Sequence, residues 1–466
     1  MIKPLFKTLL LTLCCTTILF AQHEKPRVVV LTDIENEPDD AMSMVRFLLY
    51  ANQFDVRGLI ATTSIHQPDK TAEWRIQEIL KAYQKVYPTL SSHEDGYPSY
   101  AYLSEKVVAA LPLYGLDAVG EGKDSPGSAL LIRELTSSEK PLWVTVWGGA
   151  NCLAQSLYTM RKTMTDAELK KQISKLRVYT ISDQDNSGPW IRREFPEVFY
   201  IVSPGTWANN HDGYFYSTWA AISGEQHYNF ATGADTTLVN NFWVDTYIQN
   251  GKSPLGDQYP DIEYIMEGDS PSFMYLINNG LNSPENPNYG GWGGRYEHYL
   301  PKTEKWFWTA ETRPIWTNAI DKVLGKDGQY YADNRATLWR WREAFQNDFQ
   351  ARMTWTYQDY NQANHPPVPK VNVPEHLKIE AGKTIEINAS ESSDPDKNPL
   401  TFSWYIYYEA GSTFQKAMLK NQHTARVTFT APMVENTEYY HLILQVSDGG
   451  NPALTRYKRI ILEVNP

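Results

Sequence analysis

The stretch Thr32-Asp33-Ile34-Glu35-Asn36-Glu37-Pro38-Asp39-Asp40 places five carboxylates within eight residues. Charges that close repel one another unless a cation sits among them or their pKa values rise. A hard divalent cation is the favoured partner, because it takes oxygen ligands from several acids at once. Working with protonated carboxyls is the other solution. This cluster is the first place in the chain to look for chemistry.

The flanking residues say what positions it. Val28 to Leu31 is a β-branched run without alternation, the pattern of a strand buried on both faces. Met42, Val45, Leu48 and Leu49 then fall at helical spacing, with Asp39 or Asp40 placed to cap the helix. Ligands of open α/β sheets gather at such strand-to-helix turns. Taken singly, Asp39 reads as a capping residue; the cluster as a whole reads as a site. The same pattern recurs at Val56–Ala61, Leu142–Trp147, Leu176–Ile181 and Ile262–Met266. These runs end in Thr62-Thr63-Ser64, Gly148-Gly149-Ala150-Asn151, Ser182-Asp183-Gln184-Asp185-Asn186 and Glu267-Gly268-Asp269. A parallel sheet would collect those polar turns on one edge, and distant acids converging there would suit a metal-supported active site.

These residues resemble a nucleoside hydrolase-like domain. The turn after the first strand in nucleoside hydrolases reads Asp-x-Asp-Pro-Gly-x-Asp-Asp. Asp33 takes its first Asp, Glu35 the second and Asp39-Asp40 the closing pair, while Asn36-Glu37 replaces Pro-Gly. The closer resemblance is to the branch described as cellulose-binding, whose Thr-Asp-x-x-Asn-Glu-Pro-Asp-Asp signature Thr32 to Asp40 matches in full. Trp147 to Ala154 resembles the family's glycine turn, where a backbone carbonyl binds calcium; Asn151 takes that position. Gly268-Asp269 resembles a late His-Asp pair with glycine in place of the His.

The resemblance implies a Rossmann-like, mostly parallel α/β sheet. It implies calcium held by Asp33 or Glu35, Asp40, the Asn151 carbonyl and Asp269, lowering the pKa of a water that attacks a furanose-like anomeric carbon. Asp33, Glu35 and Asp39 are then the catalytic candidates, one as general base and Asp39 on the sugar hydroxyls. Asn36, Glu37, Asn186, Trp190, Arg192 and Glu267 are the substrate-binding candidates. Trp190 would stack on a sugar face or fill the core, and Arg192 would clamp an anion. Glu267, His66 and His211 are the candidates for the leaving-group acid.

Composition narrows the partners. Lys3 and Lys7 precede the apolar run Leu9 to Phe20, and Ala21-Gln22 is a cleavage point, so residues 1–21 read as an export signal. Its removal takes the formal charge from −11 to −13, two lysines fewer. No basic run appears, which argues against nucleic acid. No other stretch is apolar enough to cross a membrane. The mature chain keeps one cysteine, Cys152, read as a small buried apolar residue, so stability comes from size and metal rather than from disulfides. The 15 Trp and 30 Tyr fit a saccharide-handling protein and equally a large aromatic core.

The long polar loops 207–219 and 282–296 read as lids or binding loops. Leu338, Trp341, Phe345 and Phe349 signal a final helix started near Asp333-Asn334, closing a domain of residues 25–364. His365-Pro366-Pro367-Val368-Pro369 begins a stiff linker over 365–370. Beyond it, short alternating strands at 384–387, 400–407, 426–429, 439–446 and 457–464 indicate an immunoglobulin-like sandwich over 371–466. Trp404 reads as its core residue; Asp394 and Asp396 read as a turn or a calcium pair. Three functions follow: a secreted calcium-dependent glycoside hydrolase acting on a plant or algal saccharide, a non-catalytic carbohydrate- or cellulose-binding protein, or a nucleoside hydrolase.

Overall fold

The computed structural model describes residues 24–203, 212–301 and 310–466; the export-signal segment and His211 lie outside them. The first domain is built on one eight-stranded sheet. Its strands are β1 (Arg27–Thr32), β2 (Asp55–Ala61), β3 (Val107–Ala109), β4 (Leu142–Val146), β5 (Leu176–Ser182), β6 (Phe199–Ser203), β7 (Tyr296–Tyr299) and β8 (Ile315–Asn318). They lie in the order β3-β2-β1-β4-β5-β6-β8-β7, parallel except for the β7–β8 pair. Each residue of β1 is buried, as its unbroken apolar run requires. The chain winds one way from β1 and the other way from β4, so the topology reverses between those neighbours. A crevice at the carboxyl ends of the strands is expected there, and the acidic turn after β1 opens into it.

Four of the five expected strands are present. The fifth, Ile262–Met266, is not a strand. Its backbone groups find side chains instead of a ladder: Asn241 Oδ1 accepts from the Ile262 amide at 2.7 Å, and Ser223 Oγ accepts from the Met266 amide at 3.0 Å. The helix after β1 spans Pro38–Leu49 with Pro38 in its first turn. Neither Asp39 nor Asp40 caps it. Both lie inside the first turn, because proline presets the helical φ one position earlier. The expected final helix is two, Ala336–Trp339 and Arg342–Thr354. No helix of the described residues is long and apolar enough to cross a membrane.

The C-terminal region is all β. A four-stranded sheet and a three-stranded sheet face each other across a core that holds Ile387, Trp404, Phe429 and Leu444. Strands 376–380 and 418–420 join the five expected ones. Asp394 forms a turn, accepting from the Asp396 and Asn398 amides, while Asp396 binds His365.

The segment 365–370 is docked rather than free. His365 is buried and stacks on Trp355, Tyr360 and His93. The loop 282–296 is not a lid either: it is the joint between the domains. Arg459 of the sandwich donates to the Leu281 and Gly290 carbonyls, and Tyr289 packs edge-on against His441.

Candidate functional site

The acidic turn is set by its own short-range bonds. The Asn36 amide donates to the Asp33 carbonyl at 3.1 Å, and the Ile34 amide donates to Thr32 Oγ1 at 3.1 Å. Thr32 Oγ1 in turn donates to Asp40 Oδ1. Gln67, on the turn after β2, donates to the Asp33 and Ile34 carbonyls and ties the two turns together. Gly148 makes room: a Cβ there would sit 2.4 Å from Asp33 Oδ1. From far along the chain, the Gly268 amide donates to Asp39 Oδ2 at 3.2 Å and brings Asp269 in beside Asp40.

The result is a cavity of about 530 Å³ lined on its acidic part by Asp33, Asn36, Glu37, Asp39, Asp40 and Asp269. Carboxylate oxygens of Asp39, Asp40 and Asp269 all lie within 4.8 Å of one another, and all three residues are buried. Burial pushes these three well above the usual carboxylate range, and repulsion within the cluster adds to it. Burial, with the nearby charges of Glu37 and Asp185, holds Asp33 up at about 7. Asp33 Oδ2 and Asp269 Oδ2 are buried without a hydrogen-bond partner among the described residues. The orphaned Asp269 oxygen, in an all-carboxylate set with Asp39 and Asp40, fits a hard divalent cation. Asp33 lines the same cavity but is not one of the converging three.

The rest of the lining is largely aromatic: Tyr214, Phe215, Trp219, Tyr228 and Tyr264, with His66 and His227. Of these, only His66 and the loop ending at Trp219 stood out in the sequence. Aromatic residues serve cores too often to be assigned to a cavity before the fold is known.

Several expected residues are elsewhere. Glu35 adopts φ 74° and pairs with Arg75 at 3.0 Å, so it does not reach the cavity. Asn151 opens the helix Asn151–Thr163, and its side chain donates to Thr63 Oγ1 and the Leu113 carbonyl. Glu35 therefore stands outside the expected calcium shell. Glu267 is buried against Arg46 at 2.6 Å, accepts from Tyr259 at 2.7 Å and does not line the cavity. Asn186 is exposed and accepts from the Leu116 amide. Trp190 packs edge-on against Phe195, and Arg192 forks onto Asp183 and also binds Glu311. These three hold the segment after β5 against the protein and leave the cavity to others. Cys152 is buried, and burial pushes its thiol up to about 12, as an inert residue requires.

A family profile described as cellulose-binding Sde182, nucleoside hydrolase-like domain, matches residues 27–296. The chain belongs to that family. A second profile, the cellulose-binding protein Sde0182 C-terminal domain, matches residues 384–464 of this Sde182-family protein. Among solved structures, it resembles a nucleoside hydrolase-related hypothetical protein from Saccharophagus degradans, described as associated with carbohydrate metabolism. The two share 33% identity with a TM-score of 0.78, covering 95% of this chain and 100% of the other. Over 98 residues it is also 33% identical to chitinase A of Pseudoalteromonas piscicida; that match covers 21% of this chain and only 11% of the chitinase.

Proposed function

We propose that the protein is a secreted, calcium-dependent glycoside hydrolase acting on a plant or algal saccharide within the acidic cavity. The observation that carries this reading is the convergence of buried carboxyls, two with unpartnered oxygens, beside aromatic rings in one cavity. A surface that only adsorbs polysaccharide has no need of buried acids with displaced pKa values. The cavity volume suits a small ligand, and the rings offer faces on which sugar C–H groups pack.

Asp39, Asp40 and Asp269 would hold the cation, which when bound supplies a Lewis acid that polarises oxygen atoms of water and sugar. Asp33, in the same cavity beside those three acids, is placed to take a proton from the attacking water. Asn36 and Glu37 line the cavity where sugar hydroxyls would lie. Glycine at position 268 leaves no imidazole there to protonate a departing base, which favours a saccharide over a nucleoside. Export through residues 1–21 belongs to the same proposal.

The second reading, a non-catalytic carbohydrate binder, is favoured by the cellulose-binding description of the family. A hydrolysis screen separates the two. It spans aryl furanosides, aryl pyranosides, plant and algal oligosaccharides and inosine, with and without chelator. Chelator-sensitive sugar release is expected; retention on cellulose with no turnover on any substrate would favour the binder.

A further inference from the structure

The helix Pro38–Leu49 presents three polar side chains along one stripe: Asp39, Ser43 and Arg46, spaced four and then three residues apart. Each is bonded to one short segment of the chain. Asp39 accepts from the Gly268 amide at 3.2 Å, Ser43 meets Ser270 Oγ at 3.2 Å, and Arg46 Nη1 donates to Glu267 at 2.6 Å. Asp269 sits in the middle of that segment. The stripe therefore fastens the residues on both sides of the one acid that the distant loop contributes to the cluster.

The Arg46–Glu267 bond is the strongest of the three. Both side chains are fully buried. Arg46 also donates to Gln346 Oε1 and the Phe345 carbonyl, and its guanidinium lies over the rings of Phe345 and Phe349. Glu267 takes a second bond from Tyr259 at 2.7 Å. Its backbone has φ 60°, a left-handed conformation that favours glycine and persists in other residues only where the surroundings impose it. A glutamate there keeps its carboxylate on Arg46 while the turn directs Asp269 towards Asp40.

We propose that the Arg46–Glu267 pair is a positioning pair: it sets Asp269 against Asp39 and Asp40 and thereby sets the affinity of that cluster for a divalent cation. The inference rests on the reading of the cluster as a cation site. Neither residue touches the cavity, so both act through the placement of Asp269.

The test is a calorimetric calcium titration of the full chain and its variants. Arg46→Met/Glu267→Gln removes both charges together, so no buried charge is left unpaired. The double variant is expected to unfold cooperatively and to bind calcium about 10- to 100-fold more weakly, as for other residues that orient metal ligands. Wild-type affinity in the folded double variant would overturn the proposal. If the double variant does not fold, Glu267→Asp and Tyr259→Phe decide. The first keeps the charge on a shorter stem and the second deletes one bond; each should weaken calcium binding without loss of fold, and unchanged affinity in both overturns the idea. A wild-type chain that binds no calcium removes the cation reading itself, a result distinct from equal binding by wild type and variant.

Discussion

Asp33 and Asp40 share one cavity but differ in what surrounds them. Asp40 lies among the three converging acids, with one oxygen held by Thr32. Asp33 lies beside them with an orphaned oxygen and a carboxyl near 7. Two substitutions that look alike should therefore differ in outcome. Asp40→Asn should lose calcium binding and turnover together. Asp33→Asn should keep calcium binding, read by calorimetric titration, while turnover falls about 100- to 10,000-fold. The turn itself was legible in the sequence because five acids in eight residues demand an electrostatic explanation. Glu35 was misread because spacing alone cannot show that a positive φ turns its side chain towards Arg75. Arg192 was misread for a related reason: its partners Asp183 and Glu311 were visible only as separate acids.

Elements place these residues, and their tolerances are narrow. Gly148 follows β4 and passes so close to Asp33 that a Cβ would lie 2.8 Å from the Asp33 Cβ. Gly148→Ala should cost about 1–3 kcal/mol in denaturant unfolding and depress turnover by displacing Asp33. Removing Glu267 alone leaves Arg46 buried and unpaired; Glu267→Ala should cost about 3–5 kcal/mol by the same measurement. Central strands were readable because β1, β4 and β5 are nearly all buried and largely apolar, and β2 closes on the buried run Leu59-Ile60-Ala61. Ile262–Met266 carries similar apolar residues, but its hydrogen bonds go to Asn241 and Ser223, a tertiary fact that no local pattern contains. Much of the aromatic part of the cavity escaped for the same reason: Tyr264 sits in that run but was expected in a strand, and Tyr228 comes from a segment without a sequence signature.

At the scale of the molecule, the sandwich is a structural partner of the first domain. Tyr407 donates to Asp321, Arg456 pairs with Asp348 at 2.6 Å, and Tyr407, Ile443 and Tyr457 share a core with residues of the first domain. The docking of the proline-rich segment near residue 365 was not visible, because interface residues look like core residues in sequence. His441 gives this joint a pH dependence. Burial, and then Arg459, push its imidazole down to about 3, and Arg459 donates to it at 2.9 Å. An unfolded histidine titrates near 6.5, so between about 6.5 and 3 the unfolded state binds the extra proton. Stability is then fully present above about 6.5 and falls as the pH drops, by about 1.4 kcal/mol per pH unit for this group. The buried acids of the cavity, whose carboxyls are held up, pull the other way as the pH drops, so the histidine is read by difference: the stability of His441→Gln relative to wild type in thermal unfolding should rise from pH 7 to pH 4.5. The proposed activity is hydrolysis of a saccharide in the acidic cavity with a cation held by its buried acids. Its most direct measurement is sugar release by the wild-type chain and by Asp33→Asn, each with calcium and with chelator. Release is expected only from the wild type with calcium; equal release from Asp33→Asn, or release that chelator leaves untouched, would rule out cation-dependent hydrolysis in this cavity.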